Sequence, residues 1–252
     1  MKRILLIAGC SHSSGSEIDG MHDSVYNRQH SYGNRLAKLL NRTPINIADP
    51  GTSNIGIGRS IIDWLGNEYN ADSTDLFILI GWTESIRMEI PSQRIHWYDK
   101  HNEYHDWFSL AARWYWRCNP GWYGGDNEEK EVIPLIHKFM ATHEYYIEIQ
   151  SMINVLQIQY QLKYLNIPYL MCNTMHMFTE GNTYLDVYRN NIDADYYYNW
   201  NNNDESFYWK YKNLGHVNEK AKYWHHGEIP HQLYAEELYN YMRSTNVYNQ
   251  VF

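Results

Sequence analysis

The sequence RILLIAGCSHSSGS, residues 3–16, decides how the rest of this chain is organised. Its apolar run, residues 4–7, ends close to Gly9, a pattern typical of a short strand buried in a parallel sheet. Small residues follow at once and place hydroxyl and backbone N–H groups past the carboxyl end of the strand, where open α/β sheets bind ligands. Ser11 is therefore the candidate nucleophile. The alternative interpretation is that residues 9–16 form only a serine-rich turn between a strand and a helix.

Length, charge and cysteine content narrow the class of protein. The 252 residues fit one large α/β domain, residues 1–252, with enough material for a buried core. The formal net charge is −8 and no basic run occurs, so neither a nucleic-acid partner nor an anionic membrane surface is expected. The three cysteines, Cys10, Cys118 and Cys172, lack CxxC spacing, which favours a reducing, cytoplasmic compartment. The oligomeric state is not predicted.

The amino terminus imitates a bacterial lipoprotein signal, with Cys10 in the place of the lipidated residue. The apolar part, residues 4–8, is shorter than the roughly 7–15 residues that such a signal needs. No later apolar run approaches the roughly 20 residues of a membrane span. Neither lipidation nor a membrane-spanning segment is expected.

Alternating strand and helix patterns predict a mainly parallel sheet that is covered by helices. Apolar residues at helical spacing occur at residues 31–40, 55–69, 142–165 and 231–242. Strand patterns occur at residues 45–48, 75–80 and 169–172. The helix at 55–69 is expected to bury Ile57, Ile61, Ile62 and Leu65 on one face. The aromatic-dense residues 91–141 interrupt this rhythm and are predicted to be an insertion or cap after the third strand.

Four short sequence blocks, in this order along the chain, resemble the SGNH (GDSL-like) hydrolase superfamily. The first three blocks are Gly9-Cys10-Ser11, Asp49-Pro50-Gly51 and Gly81-Trp82-Thr83-Glu84. Each follows a predicted strand directly. The resemblance covers most of the chain outside residues 91–141, and it implies a three-layer, flavodoxin-like α/β fold with a mainly parallel sheet.

The fourth block precedes the last predicted helix and contains the candidate general base. The family shows a catalytic histidine, a similar residue six positions later, and an A-x-x-L sequence that opens the helix. His225, His231 and residues 235–238 reproduce this spacing. We favour His225 over its neighbour His226 and over the upstream His216, which lies too far from the final helix. The alternative is that these histidines only line a polar loop.

The chemistry of ester cleavage explains why these residues must converge. A serine hydroxyl is a weak nucleophile and needs an adjacent imidazole to accept its proton. The oxyanion of the tetrahedral intermediate needs preorganised hydrogen-bond donors. The resemblance assigns the oxyanion hole to the backbone N–H groups of Ser11 and Gly51 and to the Thr83 side chain.

The sequence departs from the family pattern at two positions. Thr83 stands where the family has asparagine, so a hydroxyl must replace a carboxamide N–H. Lys222 stands three residues before His225, where the family has the aspartate that orients the imidazole. Asp204, Glu228 or a backbone carbonyl is the expected substitute for that aspartate.

The resemblance implies a serine esterase that acts through an acyl-enzyme on Ser11, with no cofactor and no metal. The expected substrate is a small acyl ester, for example an O-acetyl group on a carbohydrate. The alternative, which the departures at Thr83 and Lys222 permit, is an SGNH-fold binding or virion-associated protein that kept the pocket and lost rate. The Asn- and Tyr-rich composition resembles SGNH-like proteins of tailed phages. His101 and His105 are a weaker candidate pair for a metal, and the aromatic insertion is either a cap core or a sugar platform.

Overall fold

A sheet of five parallel strands forms the centre of the described chain. The computed structural model describes residues 1–91, 115–118, 135, 138–139, 142–176, 183–245 and 247. The strands of this sheet are β1 (Lys2–Gly9), β2 (Thr43–Asn46), β3 (Thr74–Trp82), β6 (Tyr169–Asn173) and β7 (Tyr197–Tyr198). Their order is β2-β1-β3-β6-β7, and each neighbouring pair is parallel. Two further strands, β4 (Met88–Pro91) and β5 (Tyr115–Cys118), pair with each other in antiparallel orientation.

The strand β1 lies between β2 and β3 because both of its faces are apolar. Leu5 and Ile7 pack on one side of the sheet and Leu6 packs on the other, and all three are fully buried. Leu6 is in register with Ile45 of β2 and Ile78 of β3. A parallel strand covered on both faces needs such a continuous apolar run. The quoted stretch therefore determines the position of β1 inside the sheet.

Eight α-helices surround the sheet in the described ranges. They are α1 (Ser11–Ser14), α2 (Val25–His30), α3 (Tyr32–Leu39), α4 (Asn54–Asn67), α5 (Glu144–Tyr164), α6 (Asp186–Arg189), α7 (Phe207–Asn213) and α8 (Glu228–Ser244). The hydroxyls of Ser31 and Ser53 accept the Asn34 and Gly56 N–H groups and so cap the starts of α3 and α4. None of these helices is long and apolar enough to cross a bilayer.

Two apolar clusters, one on each face of the sheet, make the fold three-layered. On one face, Ile57 and Ile61 of α4 and Val155 of α5 pack against the sheet. On the other face, α3, α7 and α8 pack, with the two fully buried rings of Phe207 and Tyr234 among their contributions. The predicted three-layer α/β fold with a parallel sheet is confirmed.

Most predicted elements are present, with shifts that have local causes. The strand expected at residues 45–48 is β2, which lies two residues earlier and ends at Asn46, whose carboxamide bonds to neighbouring turns. On α4, Ile62 is 45% exposed and Trp64 is buried, so the expected apolar face was wrong at that residue. The short helix α7 was not predicted. Within the expected insertion, residues 91–141, β5 pairs with β4, and most of the remainder lies outside the described residues.

Two glycines let the turn after β1 sit directly on the end of the sheet. A Cβ on Gly9 would lie 2.1 Å from the Ser13 Oγ, and a Cβ on Gly81 would lie 2.3 Å from the same atom. The Gly81 Cβ would also lie 2.4 Å from the Tyr32 Oη. Ser13 and Tyr32 are hydrogen-bonded to each other at 2.6 Å in the buried interior. No side chain fits between these strand ends and the serine turn.

Replacing Gly81 by alanine should therefore destabilise the protein. Overpacking a buried contact typically costs about 1–3 kcal/mol, which for a chain of this size lowers the Tm by about 2–4 °C per kcal/mol. Gly66→Ala is the matched control, because a Cβ there meets nothing within 4 Å on the exposed side of α4. That control should leave the Tm unchanged or raise it. Equal melting temperatures for the two variants, measured by thermal denaturation, would contradict this packing.

Candidate active site

The carboxyl ends of the strands bring the polar turns of the first three sequence blocks together. The Asp49 N–H donates to the Gly9 carbonyl at 2.9 Å, which joins the turn after β2 to the turn after β1. The Thr174 hydroxyl donates to the Trp82 carbonyl at 2.8 Å and lies 3.2 Å from the Cys10 Sγ. The ends of β1, β2, β3 and β6 are thus linked by hydrogen bonds on one edge of the sheet, as parallel topology requires.

Ser11 differs from the other serines of its turn in having an unengaged hydroxyl. It is the first residue of α1, and its hydroxyl makes no hydrogen bond to the described residues. The Ser13 hydroxyl bonds to Tyr32, and the Ser14 hydroxyl donates to the Ser11 carbonyl at 2.9 Å. Because Ser11 opens a helix, its backbone N–H has no intrahelical acceptor. Ser11 is therefore the residue of this turn whose hydroxyl and N–H are both available for a ligand.

Glu17 holds His225 in a defined orientation. The Glu17 carboxylate accepts a hydrogen bond from the His225 Nδ1 at 2.7 Å, and the backbone N–H groups of Lys222 and Tyr223 donate to it at 2.9 Å each. A carboxylate only accepts, so the His225 proton lies on Nδ1 and Nε2 is left as a proton acceptor. The described residues give Nε2 no hydrogen-bond partner.

The carboxylate beside His225 therefore comes from the first turn, six residues after Ser11, and the expected substitutes were wrong. Asp204 lies in a short 3₁₀ helix without contact to the imidazole, and Glu228 pairs with Arg35 and Tyr26. Glu17 was not predicted as the partner, because it lies 208 positions from His225 in the sequence. The available signal was a single carboxylate at the end of a turn otherwise made of glycine, cysteine, serine and histidine.

Burial and hydrogen bonding set the charges of this pair. Burial lowers the pKa of His225 below its ordinary value of 6.5, and the Glu17 carboxylate opposes that shift. For Glu17, burial raises the pKa, but hydrogen bonds from His225, Tyr223 and Lys222 outweigh it and the pKa is lowered. At neutral pH the arrangement is a neutral imidazole beside an ionised carboxylate.

The other candidate histidines have structural contacts. The His226 Nε2 donates to the Tyr208 carbonyl at 2.8 Å. The His231 Nδ1 accepts the Tyr32 N–H at 3.2 Å, which satisfies a free donor at the start of α3. The His216 ring packs edge-on against Tyr211, with centroids 5.6 Å apart. Of these four, His225 alone pairs with a carboxylate in the described part of the chain.

His12 lies directly beside this pair, although the sequence analysis gave it no role. Its ring centroid is 4.9 Å from that of His225, and it also contacts Phe207 and Tyr208. Burial lowers its pKa well below the ordinary value. Because His12 follows Ser11 immediately, this ring contact places the Ser11 turn against His225.

The Thr83 hydroxyl can donate to a ligand, whereas the Thr83 backbone is hydrogen-bonded to Asn54. The Thr83 N–H donates to the Asn54 Oδ1 at 2.8 Å, and the Asn54 Nδ2 donates back to the Thr83 carbonyl at 3.1 Å. The Thr83 hydroxyl is buried and has no hydrogen-bond partner among the described residues. Gly51 adopts a positive φ of 80° in the turn that Asp49 and Thr52 close. The oxyanion-hole roles of these residues stay a prediction.

The weaker metal candidate, His101 and His105, lies outside the described residues. Within the described ranges, no group of three histidine, cysteine or acidic side chains could hold a metal ion.

Comparison with known proteins gives a distant structural likeness. No protein-family model and no curated protein matches the sequence. A psychrotrophic esterase from Pseudoalteromonas sp., inhibited by monoethylphosphonate, is 12% identical, with a TM-score of 0.47 over 96% of this chain and 97% of that one. An acetyl xylan esterase from the rumen bacterium Butyrivibrio proteoclasticus is 14% identical, with a TM-score of 0.46 over 96% of this chain and 64% of that one. A carbohydrate esterase is 12% identical, with a TM-score of 0.44 over 97% and 65%.

The three proteins named here are esterases. This chain spans about two thirds of the length of the last two. At identities of 12–14% and TM-scores below 0.5, the likeness carries no conclusion about activity or substrate.

The buried histidines should make the stability depend on pH. Burial lowers the pKa of His12, His225, His226 and His231, so below pH 6.5 the unfolded chain binds protons that the folded chain does not. Stability is then fully present above pH 6.5 and is lost as the pH falls. We expect the Tm at pH 5 to lie below that at pH 7.5. His231→Asn, which keeps an acceptor for Tyr32, should weaken the dependence, whereas an equal Tm at both pH values would contradict it.

Proposed function

We propose that this chain is a serine ester hydrolase in which Ser11 is the nucleophile, His225 the general base and Glu17 the residue that orients the base. The hydrogen bond of 2.7 Å from the His225 Nδ1 to the buried Glu17 carboxylate carries this proposal. It leaves the Nε2 lone pair without a partner among the described residues, beside the turn that contains Ser11. A carboxylate, an imidazole and a serine with these roles are the parts of a hydrolytic triad.

The reaction proceeds through an acyl-enzyme. The Ser11 Oγ attacks the ester carbonyl carbon while the His225 Nε2 accepts the hydroxyl proton. The tetrahedral intermediate collapses, the ester C–O bond breaks, and His225 returns the proton to the departing alcohol. A water molecule then attacks the acyl-enzyme, again with His225 as base, and the carboxylic acid leaves Ser11 free. No cofactor and no metal take part in this scheme.

Glu17 contributes by stabilising the protonated imidazole. Its negative charge lies 2.7 Å from the ring that becomes positive when Ser11 loses its proton. The contact also fixes the tautomer that leaves Nε2 able to accept the Ser11 proton. Lys222 occupies the position of the family's aspartate and has no carboxylate to offer His225. Its backbone N–H instead donates a hydrogen bond to Glu17.

The oxyanion donors of the proposal are the Ser11 and Gly51 N–H groups and the Thr83 hydroxyl. The Thr83 hydroxyl suits this role because it is buried and lacks a partner among the described residues. Leaving a buried hydroxyl without a hydrogen bond costs free energy. Donating to the negatively charged oxygen of the tetrahedral intermediate would therefore stabilise that intermediate strongly. The substrate of the proposal is a small acyl ester, for example an O-acetyl group on a carbohydrate.

The second candidate function is a binding protein that kept the pocket and lost the reaction. One observation favours it: in the described chain, no hydrogen bond joins the Ser11 hydroxyl to an imidazole. Catalytic hydrogen bonds often tighten only when the substrate is bound, which keeps the esterase as the leading proposal.

The esterase proposal predicts activity that depends on Ser11 and His225. Wild-type protein should hydrolyse part of a panel of p-nitrophenyl esters and acetylated sugars, and a fluorophosphonate probe should label Ser11. Ser11→Ala should abolish labelling and lower the rate by about 1,000-fold or more. His225→Ala should behave alike, whereas His216→Ala, at the edge of Tyr211, should keep most activity. Labelling at Ser13 or Ser14, or no turnover of any ester, would overturn the assignment.

Glu17→Gln should change both the rate and its pH profile. Glu17 raises the pKa of His225 against the lowering effect of burial, so its loss should lower that pKa further. Because the neutral imidazole is the base, the acid limb of kcat/KM should then move to lower pH. The maximal rate should fall by up to about 10,000-fold, as when other triads lose their carboxylate. Glu228→Gln is the matched control and should alter neither quantity; an unchanged profile in Glu17→Gln would refute the positioning role.

A further inference from the structure

Trp224 combines a strained backbone with an exposed indole directly before His225. Its φ is 66°, in the left-handed region, and its side chain is 80% exposed. Of the five non-glycine residues with positive φ in the described ranges, three are asparagines, which tolerate this conformation. The other two are Glu17 and Trp224. Glu17 accepts the hydrogen bond from His225, and Trp224 directly precedes His225 in the chain.

The hydrogen bonds to Glu17 explain why the backbone turns at Trp224. The Tyr223 N–H and the His225 Nδ1 both donate to the same Glu17 oxygen, Oε2, at 2.9 and 2.7 Å. The chain must therefore bend sharply between these two donors, and Trp224 is the residue between them. Glycine would adopt this conformation without strain. The bend accounts for the backbone geometry but not for a tryptophan side chain.

The exposed indole buries little surface that could offset the strain. Its ring has no aromatic or cationic partner among the described residues, and four fifths of its surface faces water. A large aromatic group in this state gains little from the hydrophobic effect, which rewards buried area. The contact with Glu17 thus requires the bend but not the indole, and backbone strain of this kind clusters at ligand sites.

Two further exposed aromatic side chains belong to the same region, since Tyr223 directly precedes Trp224 in the chain and His22 contacts Tyr223. Tyr223 is 54% exposed, and its ring packs edge-on against His22 with centroids 6.3 Å apart. The exposed Lys222 ammonium lies 5.0 Å from the Tyr223 ring centroid. We call His22, Tyr223 and Trp224 the aromatic rim. It presents exposed rings and hydrogen-bonding groups where the chain leads directly into His225.

We propose that Trp224 is a carbohydrate platform: the sugar ring of an acylated carbohydrate stacks on the indole while its ester reaches Ser11. This inference rests on the proposed function and specifies its substrate. A pyranose has an apolar C–H face and a hydroxyl edge, which match an exposed indole whose neighbour in the chain, Tyr223, contacts an imidazole and an ammonium group. A fatty acyl chain would need a continuous apolar groove, whereas this rim offers separate rings between polar groups.

The kinetic test compares two esters in wild type and in Trp224→Gly. The measured quantity is the kcat/KM for an acetylated oligosaccharide divided by that for p-nitrophenyl acetate, which has no sugar. We expect this ratio to fall about 10-fold or more, equivalent to about 1.4 kcal/mol of lost stacking, mainly through a higher KM. Trp224→Phe should keep most of the ratio. Tyr164→Ala, which removes an equally exposed ring on α5, should leave it unchanged.

Thermal denaturation separates a ligand platform from a structural residue. Trp224→Gly relieves the left-handed strain, so the Tm should stay level or rise while the selectivity for the sugar ester falls. Trp224→Asn should repeat this result, because asparagine also tolerates the left-handed region. A lower Tm in both variants, with an unchanged ester ratio, would show a structural residue and overturn the platform.

Calorimetric titration with neutral, unacylated oligosaccharides tests the platform without catalysis. Binding by Ser11→Ala protein that is lost in the Ser11→Ala, Trp224→Gly double variant supports the platform, even if no ester is turned over and the esterase proposal fails. Ester turnover with an unchanged ratio in Trp224→Gly overturns the platform and leaves the esterase intact. If neither turnover nor oligosaccharide binding is found, both proposals fail.

Discussion

The Glu17 carboxylate is the contact on which the candidate site depends. It accepts three hydrogen bonds, from the His225 side chain and from two backbone N–H groups of the preceding loop. Glu17 belongs to the turn after β1, whereas His225 lies just before α8, more than 200 residues later. One buried carboxylate thus joins the turn after β1 to the loop before α8. A charged acceptor can hold three donors at once, which no neutral side chain at this position could do.

The geometry of this contact imposes local strain on both sides. Glu17 and Trp224 adopt left-handed backbone conformations at φ values of 63° and 66°. For residues with a Cβ, this conformation costs roughly 1–2 kcal/mol each. Additional bonds hold the strained turn in place, since the Asn218 side chain donates to the Glu17 carbonyl at 2.8 Å. The backbone strain at Glu17 and Trp224 therefore lowers the free energy of unfolding. It accompanies the contact that holds the Glu17 and His225 side chains in position.

Burial gives the site its electrostatic character. His12, His225, His226 and His231 all have pKa values lowered by burial, so the site holds neutral imidazoles around one ionised carboxylate. The aromatic rings of Phe207 and Tyr208 pack against this cluster and exclude water from it. In such surroundings the Glu17 charge acts more strongly on His225 than it would in solvent. The same burial favours the neutral form of the His225 imidazole, because it lowers the pKa of that ring.

The sequence by itself determined the layered sheet, because apolar run lengths and helical spacing depend on neighbours along the chain. It also placed Ser11 and His225 at the ends of elements that a parallel sheet brings to one edge. It could not identify Glu17 as the partner of His225, since that pairing joins residues 208 positions apart. Nor could it assign Ile62 to solvent, Asn54 to the Thr83 backbone, or the left-handed turn to Trp224. Only the tertiary structure decides these features, because each depends on which distant groups meet and which buried donors still need an acceptor.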